Sequence, residues 1–182
     1  GDATRAAERR SEVPESKTPD WFPEAVSWSG PEVVLYDNGP MVTHPGGGAG
    51  GADASALQDV SLGMGTYGFG AQLSAGNRVA DDFTVTDAAG WAIDTITLFA
   101  YQTGSGTTSS ITSLNLQIWD GPPNAGGTVI WGDTTTNLLS STTWANDYRV
   151  LEGTLTATDR PIMACVATVN HTLPAGTYWL DW

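Results

Sequence analysis

Lysine is almost missing from this sequence. Lys17 is the one example among 182 residues, and after residue 31 the remaining bases are Arg78, Arg149 and Arg160, against 14 of the 20 acids. The resulting formal charge of −13 repels phosphate backbones and anionic headgroups, which argues against a nucleic-acid partner and against docking on acidic lipid. Cysteine occurs once, so no disulfide can form within the chain. The apolar run around it, Ile162 to Ala167, predicts that Cys165 is a small buried residue with an inert thiol; a disulfide to another chain is the alternative. No apolar stretch approaches the length of a membrane span.

Catalytic residue types are equally sparse. The histidines are His44 and His171, neither near a Gly-x-Ser-x-Gly elbow, so no Ser-His-Asp triad can be assembled from local signals. Two scattered histidines and one cysteine do not suggest a zinc site. After residue 31 glutamate occurs only at Glu32 and Glu152. Asp81 and Asp82 are neighbours in a predicted strand and point to opposite faces, so they cannot act as a carboxylate pair with each other. The expectation is a protein without enzymatic activity.

What remains is strand-and-turn chemistry. Val, Ile, Thr, Trp and Tyr recur in short runs, broken by 22 glycines, 10 prolines and frequent Asn and Ser. Predicted strands begin at Val33–Tyr36, which runs into the turn Asp37-Asn38-Gly39-Pro40. They resume at Thr66–Leu73, Asn77–Val85 and Trp91–Tyr101, the last apolar on both faces as a central strand would be. Leu114–Trp119 alternates cleanly: Leu114, Leu116 and Ile118 face one way, Asn115, Gln117 and Trp119 the other. Val129–Trp131, Tyr148–Thr156, Ile162–Val169 and Thr177–Trp182 complete the set. Residues 44–56 form a Gly/Ala-rich stretch expected to be a flexible linker, and the Thr/Ser clusters at 107–110, 134–136 and 140–143 are expected in loops. Strands at this spacing without helices between them predict an all-β, jelly-roll-like antiparallel sandwich over residues 31–182. It follows an N-terminal extended arm over residues 1–30.

Two stretches resemble known modules. Leu173-Pro174-Ala175-Gly176-Thr177-Tyr178-Trp179-Leu180 resembles the closing turn and strand of secreted bacterial jelly-roll domains of the pre-peptidase C-terminal type. Val79-Ala80-Asp81-Asp82-Phe83-Thr84-Val85, with Leu116-Gln117-Ile118-Trp119-Asp120-Gly121, is similar to uncharacterised secreted bacterial β-sandwich proteins. The resemblance implies the fold and an extracellular or cell-surface address, and it carries no catalytic residue across.

Three binding readings follow from the residues. The arm is polar yet carries Trp21, Phe22 and Trp28, aromatic anchors suited to docking on a surface. Laid on a second copy as an added strand, it would make the protein a self-assembling structural or adhesive subunit of a fibre or surface layer; folded back, it would cover its own domain. The second reading is an extracellular glycan ligand, with Trp119 and Trp179 stacking on sugar rings while Asn115 and Gln117 bond hydroxyls. The third is calcium, for which Asp37, Asn38, Asp82 and Asp181 are the candidate ligands, solvated turn acids being the plainer reading. Asn170-His171-Thr172 is a formal N-glycosylation triplet.

Overall fold

The computed structural model describes residues 33–57, 63 and 65–182. The arm anchors Trp21, Phe22 and Trp28 lie outside the described residues. Among the described residues, eight strands form two four-stranded sheets: β1 (Asp53–Leu57), β2 (Ala80–Val85), β3 (Trp91–Ala100), β4 (Gln117–Trp119), β5 (Val129–Gly132), β6 (Leu139–Leu151), β7 (Pro161–Leu173) and β8 (Gly176–Asp181). The first sheet runs β1-β6-β7-β3 and the second β2-β8-β4-β5. Early strands pair with late ones, β2 with β8 and β3 with β7, both antiparallel, which is the nested winding expected of a jelly-roll-like sandwich. The described residues contain no helix longer than a single 3-10 turn.

Period-two alternation decides what is buried between the sheets. Ile118 opposes Leu180 on one side and Trp131 on the other, while Phe83 opposes Tyr178. These inward residues meet Ile93, Ala167, Val169 and Leu173 of the first sheet in one core that also takes in the fully buried Leu116. The turn between β7 and β8 carries the chain from one sheet to the other. Tyr178 closes that turn by donating its hydroxyl proton to the Pro174 carbonyl at 3.0 Å. Cys165 is buried, and burial pushes its thiol pKa up.

Several elements differ from the sequence expectation. Trp91–Ala100 is an edge strand rather than a central one, and Phe99 on its outward face is exposed. Length and apolarity cannot separate an edge strand from a buried one when the partners are unknown. No strand forms at 33–36 or 66–73. Ser140–Thr143 belongs to the long strand β6, although 107–110 and 134–136 are irregular. In the second of these, Thr135 and Thr136 donate hydroxyl bonds to Asp133 at 2.9 and 2.7 Å, and together with their backbone N–H groups they hold that carboxyl well below its usual pKa.

The expected linker at 44–56 is ordered and carries β1. Asp53 accepts a bond from the Gly46 amide at 2.7 Å, and His44 bridges Ala54. Gly48 is required here: a Cβ would lie 2.6 Å from the Asp53 carbonyl oxygen. Alanine then suits a strand pressed against larger neighbours, and Ala52, Ala54 and Ala56 form a second small core with Tyr148 and Val150. β1 pairs with β6 in parallel, the exception in an otherwise antiparallel fold.

Candidate functional site

The outward face of the second sheet holds most of the predicted sugar-binding residues. Trp119 lies directly opposite Trp179, Gln117 opposite Asp181, and Asp82 opposite Trp179 on the other side. The sheet therefore brings the two indoles together, as a pair of facing residues on adjacent strands must be. Both are only half-buried, yet the Trp119 Nε1 atom is fully enclosed and makes no hydrogen bond. An enclosed N–H leaves that edge of the ring turned away from a sugar's hydroxyls.

Asn115 is not part of this surface. It is 8% exposed and its side-chain oxygen accepts a short bond from Arg78 Nη1. Arg78 also donates from Nε to Asp181 Oδ1 at 2.7 Å and from Nη2 to the Asp181 carbonyl at 3.2 Å. This fork sits where the β2–β8 ladder runs on past its named strands, since Val79 and Trp182 exchange backbone bonds of 3.0 and 2.9 Å. Beside it opens a cleft of about 300 Å³, walled by Leu73, Leu114 and Trp182 and lined with the polar groups of Asn77, Arg78 and Asn115. Because Asp181 compensates the Arg78 charge, the cleft carries little net charge and is mostly apolar, with Asn77, Asn115 and Arg78 among its polar lining and Trp182 also packed against the core.

The predicted calcium ligands do not converge. Asp37 accepts from its own turn's Gly39 amide at 3.1 Å, and Asn38 donates to Asp81 Oδ2 at 2.7 Å. Asp82 is exposed on the opposite face of β2 from Asp81, and Asp181 is committed to Arg78. Among the described residues no three His, Cys, Asp or Glu side chains come together. Asp37 lies in an irregular segment rather than in a strand, so no sheet register brings its carboxylate to Asp181. His44 shares a 2.9 Å hydrogen bond with the Thr43 hydroxyl, and His171 stacks on Trp131 with centroids 5.8 Å apart. Asn170 of the glycosylation triplet is exposed, with a positive φ of 48° at an irregularity in β7.

Sequence reasoning missed Asp147. It is completely buried, and neither carboxylate oxygen has a hydrogen-bond partner. The parallel register sets it opposite Asp53. Burial, and then the Asp53 charge, raise its pKa from 3.8 to about 6, against the opposing pull of the Tyr148 and Ser55 amides and of Arg149. Arg149 itself donates to the Tyr67 carbonyl at 2.9 Å and to Ser55 Oγ at 3.2 Å. The one sequence signal was an acid within an aromatic run, Trp144-Ala145-Asn146-Asp147-Tyr148.

The fold and these sites define an all-β sandwich with a charge-compensated, mostly apolar cleft beside one sheet and a buried acid on the other. No family model matches the chain, and no curated protein or solved structure matches it.

Proposed function

We propose that this chain is a non-catalytic subunit that works outside the cell and assembles with copies of itself through its N-terminal segment, as in a fibre or surface layer. The observation that carries this reading is the stretch Val34-Leu35-Tyr36, which is 76%, 42% and 48% exposed. It lies beside β2, an edge strand among the described residues, with Tyr36 against Phe83 at 6.1 Å and Asn38 bonded to Asp81. No strand pairing joins it to that edge. Successive exposed apolar residues next to an open edge mark an interaction surface, because the apolar side chains are poorly hydrated and the unpaired edge groups can pair with another chain. The near-absence of lysine removes a common guard against such pairing.

The test is sedimentation of three proteins: the full chain, a chain lacking residues 1–30, and the full chain carrying Val34→Lys and Leu35→Lys. The full chain should self-associate with concentration. Both altered chains should require at least about tenfold more protein to do so, the equivalent of losing roughly 1.4 kcal/mol of contact. Self-association that is unchanged in both removes the reading.

A second reading, a carbohydrate-binding module, is favoured by the cleft beside Arg78. Its compensated charge and its amides suit an uncharged polyhydroxyl ligand, and Trp182 offers a ring wall for stacking. Trp182→Ala should weaken retention in gels containing neutral polysaccharide by about tenfold, on the scale of one aromatic contact. Trp119→Ala should leave retention unchanged; loss with Trp119→Ala alone would move the site to the sheet face.

A further inference from the structure

We propose that Asp53 and Asp147 form a binding site for a hard divalent cation, Ca²⁺ in an extracellular setting, at the junction of β1 and β6. The parallel register places the two residues directly opposite each other, so their side chains leave the same face of the first sheet. Asp147 is 0% exposed, and both of its carboxylate oxygens lack a hydrogen-bond partner. A buried carboxylate is retained where a proton, a cationic side chain or a metal compensates it. The cationic side chain at hand is Arg149, two residues along β6. It attracts Asp147 electrostatically but makes no hydrogen bond to it, its Nε and Nη1 donating instead to the Tyr67 carbonyl at 2.9 Å, the Ser55 carbonyl at 3.3 Å and Ser55 Oγ at 3.2 Å.

The second carboxylate is held from the other side. Asp53 Oδ1 accepts the Gly46 amide at 2.7 Å, and the 44–52 loop is closed by a Gly48 amide bond to the Ala52 carbonyl at 2.8 Å. Asp53 Oδ2 makes no hydrogen bond among the described residues. The donors are all oxygen, with no thiolate or imidazole among them, which selects calcium-like cations over zinc or copper. The chain's −13 charge adds a general attraction for cations. Bound there, the ion would tie β1 to β6, a two-strand contact that otherwise rests on the ladder and on small alanine side chains. The site is separate from both readings of function, so its failure leaves them standing.

Terbium provides the probe, because Trp144 donates its indole N–H to the Asp147 carbonyl at 3.1 Å and can sensitise an ion bound beside it. The full chain, stripped with a chelator, should show tryptophan-sensitised Tb³⁺ emission that Ca²⁺ displaces, and its Tm should rise when Ca²⁺ is restored. Asp147→Asn and the half-buried Asp53→Asn should each weaken Ca²⁺ binding at least tenfold. Trp144→Phe should lose most of the sensitised emission but keep the Ca²⁺-dependent Tm rise. The proposal is overturned if stripped protein responds to neither ion. It is also overturned if the response survives both aspartate substitutions, which would put the ion elsewhere.

Discussion

Arg78→Ala is expected to destabilise the sandwich by about 3 kcal/mol or more, the scale for removing one partner of a largely buried ion pair. Asp181 has a side chain only 7% exposed, and its partner Arg78 is 25% exposed. Removing the guanidinium leaves the Asp181 carboxylate without its counter-charge and takes the donor away from the enclosed Asn115 oxygen. It also loosens the continuation of β2 and β8, since Arg78 bonds the Asp181 carbonyl next to the Val79–Trp182 backbone pair. Urea unfolding of the single variants and of Arg78→Ala with Asp181→Ala gives the double-mutant cycle. The double variant should lose less than the sum of the singles, because no charge is then left stranded. Additive losses would mean that the pair is not coupled. Arg78→Lys should recover only part of the loss, as an ammonium cannot reproduce the three-way fork.

In the presence of chelator, the contribution of Asp147 to stability should fall as pH rises from about 4 to 6, opposite in sign to that of a carboxylate whose pKa is lowered on folding. The folded pKa of Asp147, near 6, lies above its ordinary value of 3.8. The folded state therefore holds the proton more tightly than the unfolded chain does. Below pH 3.8 both states are protonated and no penalty exists; above 6 the folded state carries a charge whose burial outweighs the pull of the Tyr148 and Ser55 amides and of Arg149. A displacement of that size corresponds to roughly 3 kcal/mol. Asp147→Asn removes the titrating group while keeping its shape. The variant should match the parent near pH 4 and exceed it by about 2–3 kcal/mol at pH 8. Denaturant unfolding across this range reads the difference directly, and two parallel pH profiles would show that Asp147 is not the group responsible.

How far these sites could be read from the sequence depends on the range of the interaction. The alternation at Leu114–Trp119 and Thr177–Trp182 separated the inward Ile118, Tyr178 and Leu180 from their outward neighbours, because the pleat is a local property of an extended chain. It therefore also placed Trp119 and Trp179 on outward faces. That they oppose each other, while Asn115 turns to Arg78, depends on register between strands some 60 residues apart in sequence. The Arg78–Asp181 pair spans 103 positions and has no local trace. Asp147 was hidden for a similar reason. Its environment is set by a parallel partner, β1, inside a Gly/Ala-rich stretch whose small residues look like linker until Tyr148 and Val150 are packed against them.

The scarcity of lysine and the lone cysteine were readable from composition. Short alternating runs separated by turn residues likewise determined an all-β sandwich, since backbone preference and side-chain period act over a few residues. Tertiary structure alone decided which long strand became an edge and which acids met a counter-charge. It alone enclosed Asp147 without one. Pairing, register and burial arise from contacts between distant segments, and the energy of a charge depends on what those segments bring beside it.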